Sequence, residues 1–160
     1  MEGKIRELLH SGLTVNIELA LMLIRSQCKD FDLSSYETLW SNYDYHLPRS
    51  TLQEGLQWFL TLDELDFGYL GLEELPGFIC ELGHVQELIL ENNELKALPE
   101  NIGNMTNLIK LDISYTMITQ LPESISNLKN MVILQLMHTD ISKSERQRIQ
   151  KRVPWCKLYV

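Results

Sequence analysis

Between residues 62 and 140 the chain repeats one pattern of apolar residues every 23 positions. Each copy has the form apolar-x-x-apolar-x-apolar, and the four copies begin at Leu62, Val85, Leu108 and Met131. Three copies continue with a Leu-Pro pair and an isoleucine three residues after the proline, at Pro76, Pro99 and Pro122. A fixed period of a few tens of residues indicates a stack of similar supersecondary units.

The first part of each copy predicts a short strand. Side chains of a strand alternate between two faces, so the fourth and sixth positions of the pattern point to the same side. Stacked copies would then form a parallel sheet that buries two columns of apolar side chains. One column is Leu65, Leu88, Leu111 and Leu134, and the other is Phe67, Leu90, Ile113 and Leu136. Because one buried side chain contributes only about 1.5–3 kcal/mol, we expect stability from stacking and not from single repeats.

The 61 residues before the repeats lack the pattern and predict a helical N-terminal cap. A stack of repeats needs such a cover, because its end repeats would otherwise expose apolar cross-sections to water. Helices are predicted at residues 4–10, 17–27, 34–43 and 50–60. The first should end at Ser11-Gly12, since glycine accepts the left-handed conformation that often closes a helix.

Residues 141–160 predict a C-terminal cap. Ser142 and Glu145 have the spacing of a capping box, which places a helix from Ser142 to Arg152. Pro154 ends this helix, and Trp155-x-x-Leu158-x-Val160 begins the strand pattern again, 24 residues after Met131. A terminal half-repeat is therefore expected after the helix.

The repeat resembles that of typical leucine-rich repeat proteins, whose 23-residue units carry L-P-x-x-I on the outer side. The stretch LLHSGLTVNIELALMLIRSQ is similar to the helical front of small bacterial members of this family. The resemblance implies an α/β fold, a leucine-rich repeat solenoid with a curved parallel sheet, an N-terminal helical cap and a C-terminal capping helix. It also implies a non-catalytic scaffold that binds proteins on the concave side of the sheet. Because the sequence contains no linker or low-complexity tract, we expect one domain over residues 1–160.

The ninth position of the family's pattern is usually asparagine, whose amide bonds to the backbone of adjacent turns. This chain has Leu70, Asn93, Thr116 and Thr139 there. Threonine can supply part of that role, whereas leucine cannot. A first repeat that borders the helical cap would tolerate this departure.

Outward-pointing strand positions form the candidate partner-binding surface, the concave face. Its predicted residues are Asp66, Tyr69, Glu91, Asn92, Asp112, Tyr115, Gln135 and His138. Tyrosine offers a large contact area at low entropic cost and is frequent at binding hot spots. The same pattern also suits a solvated sheet surface that binds nothing.

The charge distribution favours a protein partner with a basic segment. The net charge is −8, and residues 61–140 carry 13 Asp/Glu against three lysines, a balance of −10. Such a surface would repel a nucleic-acid backbone. The longest apolar run, residues 17–24, contains Glu18 and is too short for a membrane span. No nucleic acid and no membrane are expected as partners.

Cysteine usage and the N-terminus suit a cytoplasmic protein. Cys28, Cys80 and Cys156 are odd in number and form no C-x-x-C motif, which argues against disulfides and a zinc site. The first residues contain no apolar core long enough for a signal peptide. A secreted effector whose signal peptide had been removed would look the same.

Catalysis is not indicated, because His10, His46, His84 and His138 lie in separate segments without a metal or triad spacing. No cofactor or metal is expected either, since the glycines form no phosphate loop. Three rival functions remain. The chain could be a regulatory or positioning subunit of a catalytic partner, a hydrolase with Asp44, His46 and a tyrosine in the helical cap, or a purely structural domain.

Weak homodimerisation is a testable expectation from the charge asymmetry. Residues 141–160 carry six basic residues against Glu145, a balance of +5, which can attract the acidic repeats of a second copy. Because salt screens such exposed charges, sedimentation should show a dimer at low salt that dissociates at high salt. A monomer under both conditions would contradict the expectation.

Overall fold

The computed structural model describes residues 2–12, 19–20, 34 and 60–160, and the statements below concern these residues. The chain divides into two compact units, Met1–Leu62 and Asp63–Val160. The division falls one residue after the predicted end of the cap at residue 61. That the two units form a single domain stays a prediction.

The first unit begins with an α-helix, Glu2–Leu9, which buries Ile5 and Leu9. The predicted helix is confirmed, although it starts two residues earlier. It ends as expected, because Gly12 has a positive φ of 70°, which glycine adopts at little cost. The predicted helices at 17–27, 34–43 and 50–60 fall largely outside the described residues, so the helical cap as a whole stays a prediction.

The second unit contains a parallel sheet of five three-residue strands in the order β1-β2-β3-β4-β5. The strands are β1 Glu64–Asp66, β2 Glu87–Ile89, β3 Lys110–Asp112, β4 Ile133–Gln135 and β5 Lys157–Tyr159. Equivalent positions of successive repeats pair across neighbouring strands. Leu65 therefore lies opposite Leu88, and Leu134 lies opposite Leu158. The predicted parallel sheet and terminal half-repeat are thereby confirmed.

The core of this unit consists of the two predicted columns of apolar side chains. All eight residues are 0% exposed: Leu65, Leu88, Leu111, Leu134, Phe67, Leu90, Ile113 and Leu136. Each rung, meaning one turn of the repeat, covers the apolar side chains of the next rung. The spacing of the pattern therefore sets both the register and the core.

The Leu-Pro pairs lead into short 3₁₀ helices on the side of the unit away from the sheet. These helices are Gly77–Glu81, Glu100–Asn104 and Glu123–Asn127, and each is preceded by a proline with φ between −57° and −61°. Proline fixes this φ and lacks the N–H that the first turn could not use. The isoleucines of the motif, Ile79, Ile102 and Ile125, are completely buried.

Asn93 binds the backbone of two rungs, as the family pattern implies. Its Nδ2 donates to the carbonyl oxygens of Phe67 at 2.8 Å and Leu90 at 2.9 Å, and its Oδ1 accepts from the N–H of Leu72 at 2.9 Å. At the same position, the hydroxyl of Thr116 donates only to the Ile113 carbonyl, at 2.7 Å. Thr116 therefore satisfies a carbonyl of its own rung but makes no hydrogen bond to a neighbouring rung.

A second set of asparagines also links successive rungs, and the sequence analysis did not predict it. Nδ2 of Asn107 donates to the Gly83 carbonyl at 2.7 Å, and Nδ2 of Asn130 donates to the Thr106 carbonyl at 2.8 Å. Both residues stand immediately before the first apolar residue of a repeat. Each amide satisfies a loop carbonyl of the preceding rung, which stabilises the edge where the chain enters the strands.

The C-terminal helix spans Lys143–Arg152, and the Ser142 hydroxyl accepts from the Glu145 N–H at 3.2 Å. The predicted cap of this helix is confirmed. Glu145 is nearly buried, and its carboxylate lies 2.8 Å from Arg148. Arg152 attaches the helix to the repeats, because its guanidinium donates to the Leu121 carbonyl at 3.2 Å.

Trp155 departs from the repeat pattern. Its counterpart Met131 is 0% exposed, whereas Trp155 is 41% exposed and Val153 and Cys156 are buried instead. The indole N–H donates to the Leu128 carbonyl at 3.2 Å. The helix lengthens this repeat by one residue, and Val153, the residue that follows the helix, supplies the buried apolar side chain.

We expect Asn93→Ala to lower the free energy of unfolding by about 1–3 kcal/mol, because it leaves buried backbone groups without hydrogen bonds. The urea midpoint measures this loss. Asn104→Ala is a matched control, because Asn104 is exposed and the same substitution there should change the midpoint little. Equal midpoints for the two variants would contradict the role of Asn93.

Candidate functional site

The concave face is the side of the sheet opposite the buried leucine column. Strand alternation places the predicted residues Asp66, Asp112 and Gln135 there, on β1, β3 and β4. The other five follow the strands: Tyr69, Glu91, Asn92, Tyr115 and His138. The register of the sheet brings all eight onto four neighbouring rungs.

Each of the first four rungs turns into the left-handed region at the same position after its strand. The residues there have φ values between 54° and 62°: Tyr69, Asn92, Tyr115 and His138. Asparagine and histidine are enriched in this region, whereas a bulky residue is an outlier. Neither tyrosine offsets that cost by burial, since Tyr69 is 70% exposed and Tyr115 is 47% exposed. Sequence reasoning grouped these residues but did not predict their backbone conformation.

These four residues form the aromatic row, and two contacts orient its aromatic side chains. The rings of Tyr115 and His138 stack with centroids 4.5 Å apart and an angle of 25° between their planes. The Tyr69 hydroxyl donates to Oε1 of Glu91 at 3.4 Å. The charge of Glu91 raises the pKa of the Tyr69 phenol above its ordinary value of 10.0.

The acidic residues of the face differ in how far they are compensated. The carboxylate of Glu87 lies 3.3 Å from Nζ of Lys110, which cancels its charge locally. Among the described residues, no cation lies within ion-pair distance of Asp66, Glu91 or Asp112. The middle of the face is therefore a region of uncompensated negative charge.

Asp112 is less accessible than the other predicted site residues. It is only 6% exposed, and its Oδ1 accepts the Ser114 N–H at 2.9 Å. Asp66 accepts the Gly68 N–H at 2.9 Å in the same way, but remains exposed. The Asp112 carboxylate therefore organises the strand exit as well as contributing charge.

Two exposed methionines lie close in the chain to the aromatic row, and Met117 was not among the predicted surface residues. Met137 is 36% exposed, and its carbonyl accepts the N–H of Tyr115 at 2.8 Å. Met117 is 39% exposed and follows Tyr115 by two residues. Methionine adapts to irregular partners, so these side chains enlarge the apolar part of the surface. The exposure of these side chains is what marks them as candidate contact residues, and it is visible only in the folded structure.

The described residues also line a groove away from the concave face. It has a volume of about 430 Å³ at the edge where the chain enters the strands. Its walls are His84, Gln86, Asn107, Ile109, Asn130 and Val132. None of the predicted site residues borders it. Asp44 and His46, the residues of the hydrolase hypothesis, lie outside the described residues.

The described cysteines are buried and poorly ionised. Cys80 is 0% exposed and Cys156 is 4% exposed. Burial raises the pKa of Cys80 to about 12 and that of Cys156 to about 11. Both values agree with a packing role, because a reactive thiol needs a low pKa and access to solvent. Cys28 lies outside the described residues.

No group of three or more His, Cys, Asp or Glu side chains in the described part of the chain is arranged to hold a metal ion. Over the same residues, no helix has both the length and the hydropathy needed to cross a membrane.

We expect Cys80 to resist alkylation in the folded protein at pH 8. A pKa of about 12 instead of the ordinary 9.0 lowers the thiolate fraction roughly a thousandfold. Labelling with iodoacetamide, followed by peptide mass spectrometry with and without urea, measures the difference. Equal labelling rates for native and unfolded protein would contradict the burial of this thiol.

Comparisons with known proteins agree with this geometry. A family profile described as "Leucine rich repeat" matches residues 83–141. No curated protein sequence matches the chain. A solved leucine-rich repeat protein of Leptospira interrogans is similar, with 34% sequence identity and a TM-score of 0.62. The match covers 69% of this chain and 28% of that protein, so the chain corresponds to less than a third of its length.

Leucine-rich repeats in general form protein-interaction modules, and the fold is typically a non-catalytic scaffold. The parallel register, the buried leucine columns and the profile match all fall on the repeats. The chain is therefore a leucine-rich repeat protein.

Proposed function

We propose that the chain is a non-catalytic interaction module that binds a protein partner on the concave face. The aromatic row at the strand exits and the acidic residues beside it are the proposed contact surface. The observation that carries this proposal is the exposure of Tyr69 and Tyr115 at backbone positions with positive φ.

These two tyrosines cost the fold stability without an evident structural return. Placing an L-residue in the left-handed region costs roughly 1–2 kcal/mol, and an exposed ring recovers little of this by burial. Asn92 stands at the equivalent position, where a polar residue suited to this conformation satisfies the same turn. Strained residues of this kind concentrate at functional sites, so the tyrosines support a binding role.

The charge of the face supports a partner with a basic segment. Uncompensated carboxylates beside exposed aromatic rings attract a cation and repel phosphate groups. Two exposed methionines, Met117 and Met137, add apolar contact area next to the charge. A segment that combines basic and apolar residues would complement both parts of the surface.

Regulation or positioning of a catalytic partner is the second candidate function, and it would use the same face. It differs only in what the partner does once bound, so it shares the binding prediction below. A reducing cytoplasm is the compartment that we propose, because the two described cysteines are unpaired.

The double substitution Tyr69→Asn/Tyr115→Asn should weaken partner binding without loss of stability. Asparagine accepts positive φ, so we expect the free energy of unfolding to stay unchanged or to rise by up to about 1 kcal/mol per site. Affinity capture from the source cells, with wild type and variant compared quantitatively, measures binding. Urea unfolding measures stability.

Val132→Asn serves as the control for this experiment, because Val132 is 55% exposed but lies in the groove at the other edge of the sheet. We expect this variant to capture the same proteins as the wild type. If the tyrosine variant also captures them at wild-type levels, the concave face is not the binding surface.

A further inference from the structure

We propose that the gap between Tyr69 and Tyr115 is a site for an arginine side chain of the partner. The guanidinium group would lie over Asn92, between the two tyrosine rings, with the Glu91 carboxylate at its edge. The inference rests on the proposed function of the concave face and names the chemistry that the face recognises.

The spacing of the rungs creates the gap. Tyr69, Asn92 and Tyr115 occupy the same position on three consecutive rungs, which are joined by backbone hydrogen bonds of 2.9 Å from Tyr69 to Glu91 and from Asn92 to Ser114. Neighbouring parallel strands lie about 4.8 Å apart, so the two tyrosine backbones are separated by roughly 10 Å. On the rung between them the aligned residue is Asn92, and the Tyr69 hydroxyl reaches over that rung to Glu91. Stacking contacts of about 3.5–4.0 Å on each side require roughly 7–8 Å, so this separation admits one planar group.

Stacking on His138 sets the direction of the Tyr115 ring. His138 follows Tyr115 by one rung, and their ring centroids are 4.5 Å apart. One face of the tyrosine ring is therefore covered from the β4 side, and the opposite face is turned toward the rung of Asn92. With 47% of Tyr115 and 70% of Tyr69 exposed, both walls of the gap are open to a ligand.

Glu91 supplies the charge at this gap. Its carboxylate lies 3.4 Å from the Tyr69 hydroxyl, and no cation among the described residues pairs with it. Glu87 on the same rung differs, because Lys110 already neutralises it at 3.3 Å. Of these two carboxylates, the one without a paired cation is therefore that of Glu91, beside the aromatic row.

Arginine matches this arrangement better than lysine does. A guanidinium group is planar, stacks on aromatic rings and can bind a carboxylate through two parallel hydrogen bonds, while further N–H groups remain for other acceptors. A lysine ammonium is a compact, strongly hydrated charge that cannot stack in the same way. The two-walled gap with one lateral carboxylate therefore selects the planar cation.

Three matched peptides test the inference on the full chain. The probe is acetyl-Gly-Ser-Arg-Ser-Gly-amide, and the comparison peptides carry lysine or citrulline in place of arginine. Citrulline keeps the planar shape without the charge, and lysine keeps the charge without the plane. In NMR titrations we expect the arginine peptide to shift the signals of Glu91, Asn92 and Tyr115. The lysine peptide should bind about threefold to tenfold more weakly, and the citrulline peptide at least tenfold more weakly.

Variants of the protein locate the site. Glu91→Gln should weaken the arginine peptide about tenfold and leave the citrulline peptide unchanged, because only the charged ligand pairs with the carboxylate. Glu94→Gln is the matched control, because Glu94 is exposed three residues further along the chain and should have no effect. Tyr115→Asn should reduce the preference for arginine over lysine.

Several results would overturn the arginine site. These are equal affinities for the three peptides, equal effects of Glu91→Gln and Glu94→Gln, or no binding of the arginine peptide at millimolar concentration. If partner capture is still lost in the Tyr69→Asn/Tyr115→Asn variant, the concave face keeps its proposed function and only the arginine site fails. If capture is unaffected as well, both proposals fail.

Discussion

The structure of the second unit depends on each rung covering the apolar side chains of the rung before it. A three-residue strand has too little buried surface to offset its own loss of conformational entropy. Pairing Leu65 with Leu88, and so on along the sheet to Leu158, extends one apolar column through all five strands. Because the period is constant, every other position of the repeat is aligned as well. The buried amide of Asn93 and the loop amides of Asn107 and Asn130 hold adjacent rungs in that alignment.

The same alignment creates the candidate binding surface. A turn that recurs at one position of each rung produces a row of side chains along the sheet, whatever residues occupy it. In this chain two of the four residues in the row are exposed tyrosines, and a stacked His138 supports one of them. Glu91 lies beside the row with its charge unpaired among the described residues. Specificity can therefore vary through this row while the core, on the other side of the strands, stays intact.

The apolar columns and the parallel register could be predicted because they follow from spacing alone, and the role of Asn93 followed from the resemblance to leucine-rich repeats. The cap of the C-terminal helix was also predictable, because Ser142 and Glu145 form a local motif. Other features needed the folded chain. Asp112 reads as an exposed acidic contact in the sequence, yet the sheet leaves it only 6% exposed. Trp155 follows the apolar pattern, yet the helix before it shifts Val153 into the core and leaves the indole partly exposed.

The amino-acid sequence by itself determined the period, and with it the leucine-rich repeat fold and the buried columns, and it predicted eight residues for the concave face. Periodicity carries this information because aligned rungs bury equivalent residues. Only the tertiary structure decided which of these residues are accessible, which carboxylates lack a cation among the described residues, and which rings face each other. These properties depend on contacts between rungs 23 residues apart. Tyr115 stacks on His138, and Glu87 pairs with Lys110, each across two neighbouring rungs. Both contacts depend on the directions of the side chains, which no local sequence pattern encodes.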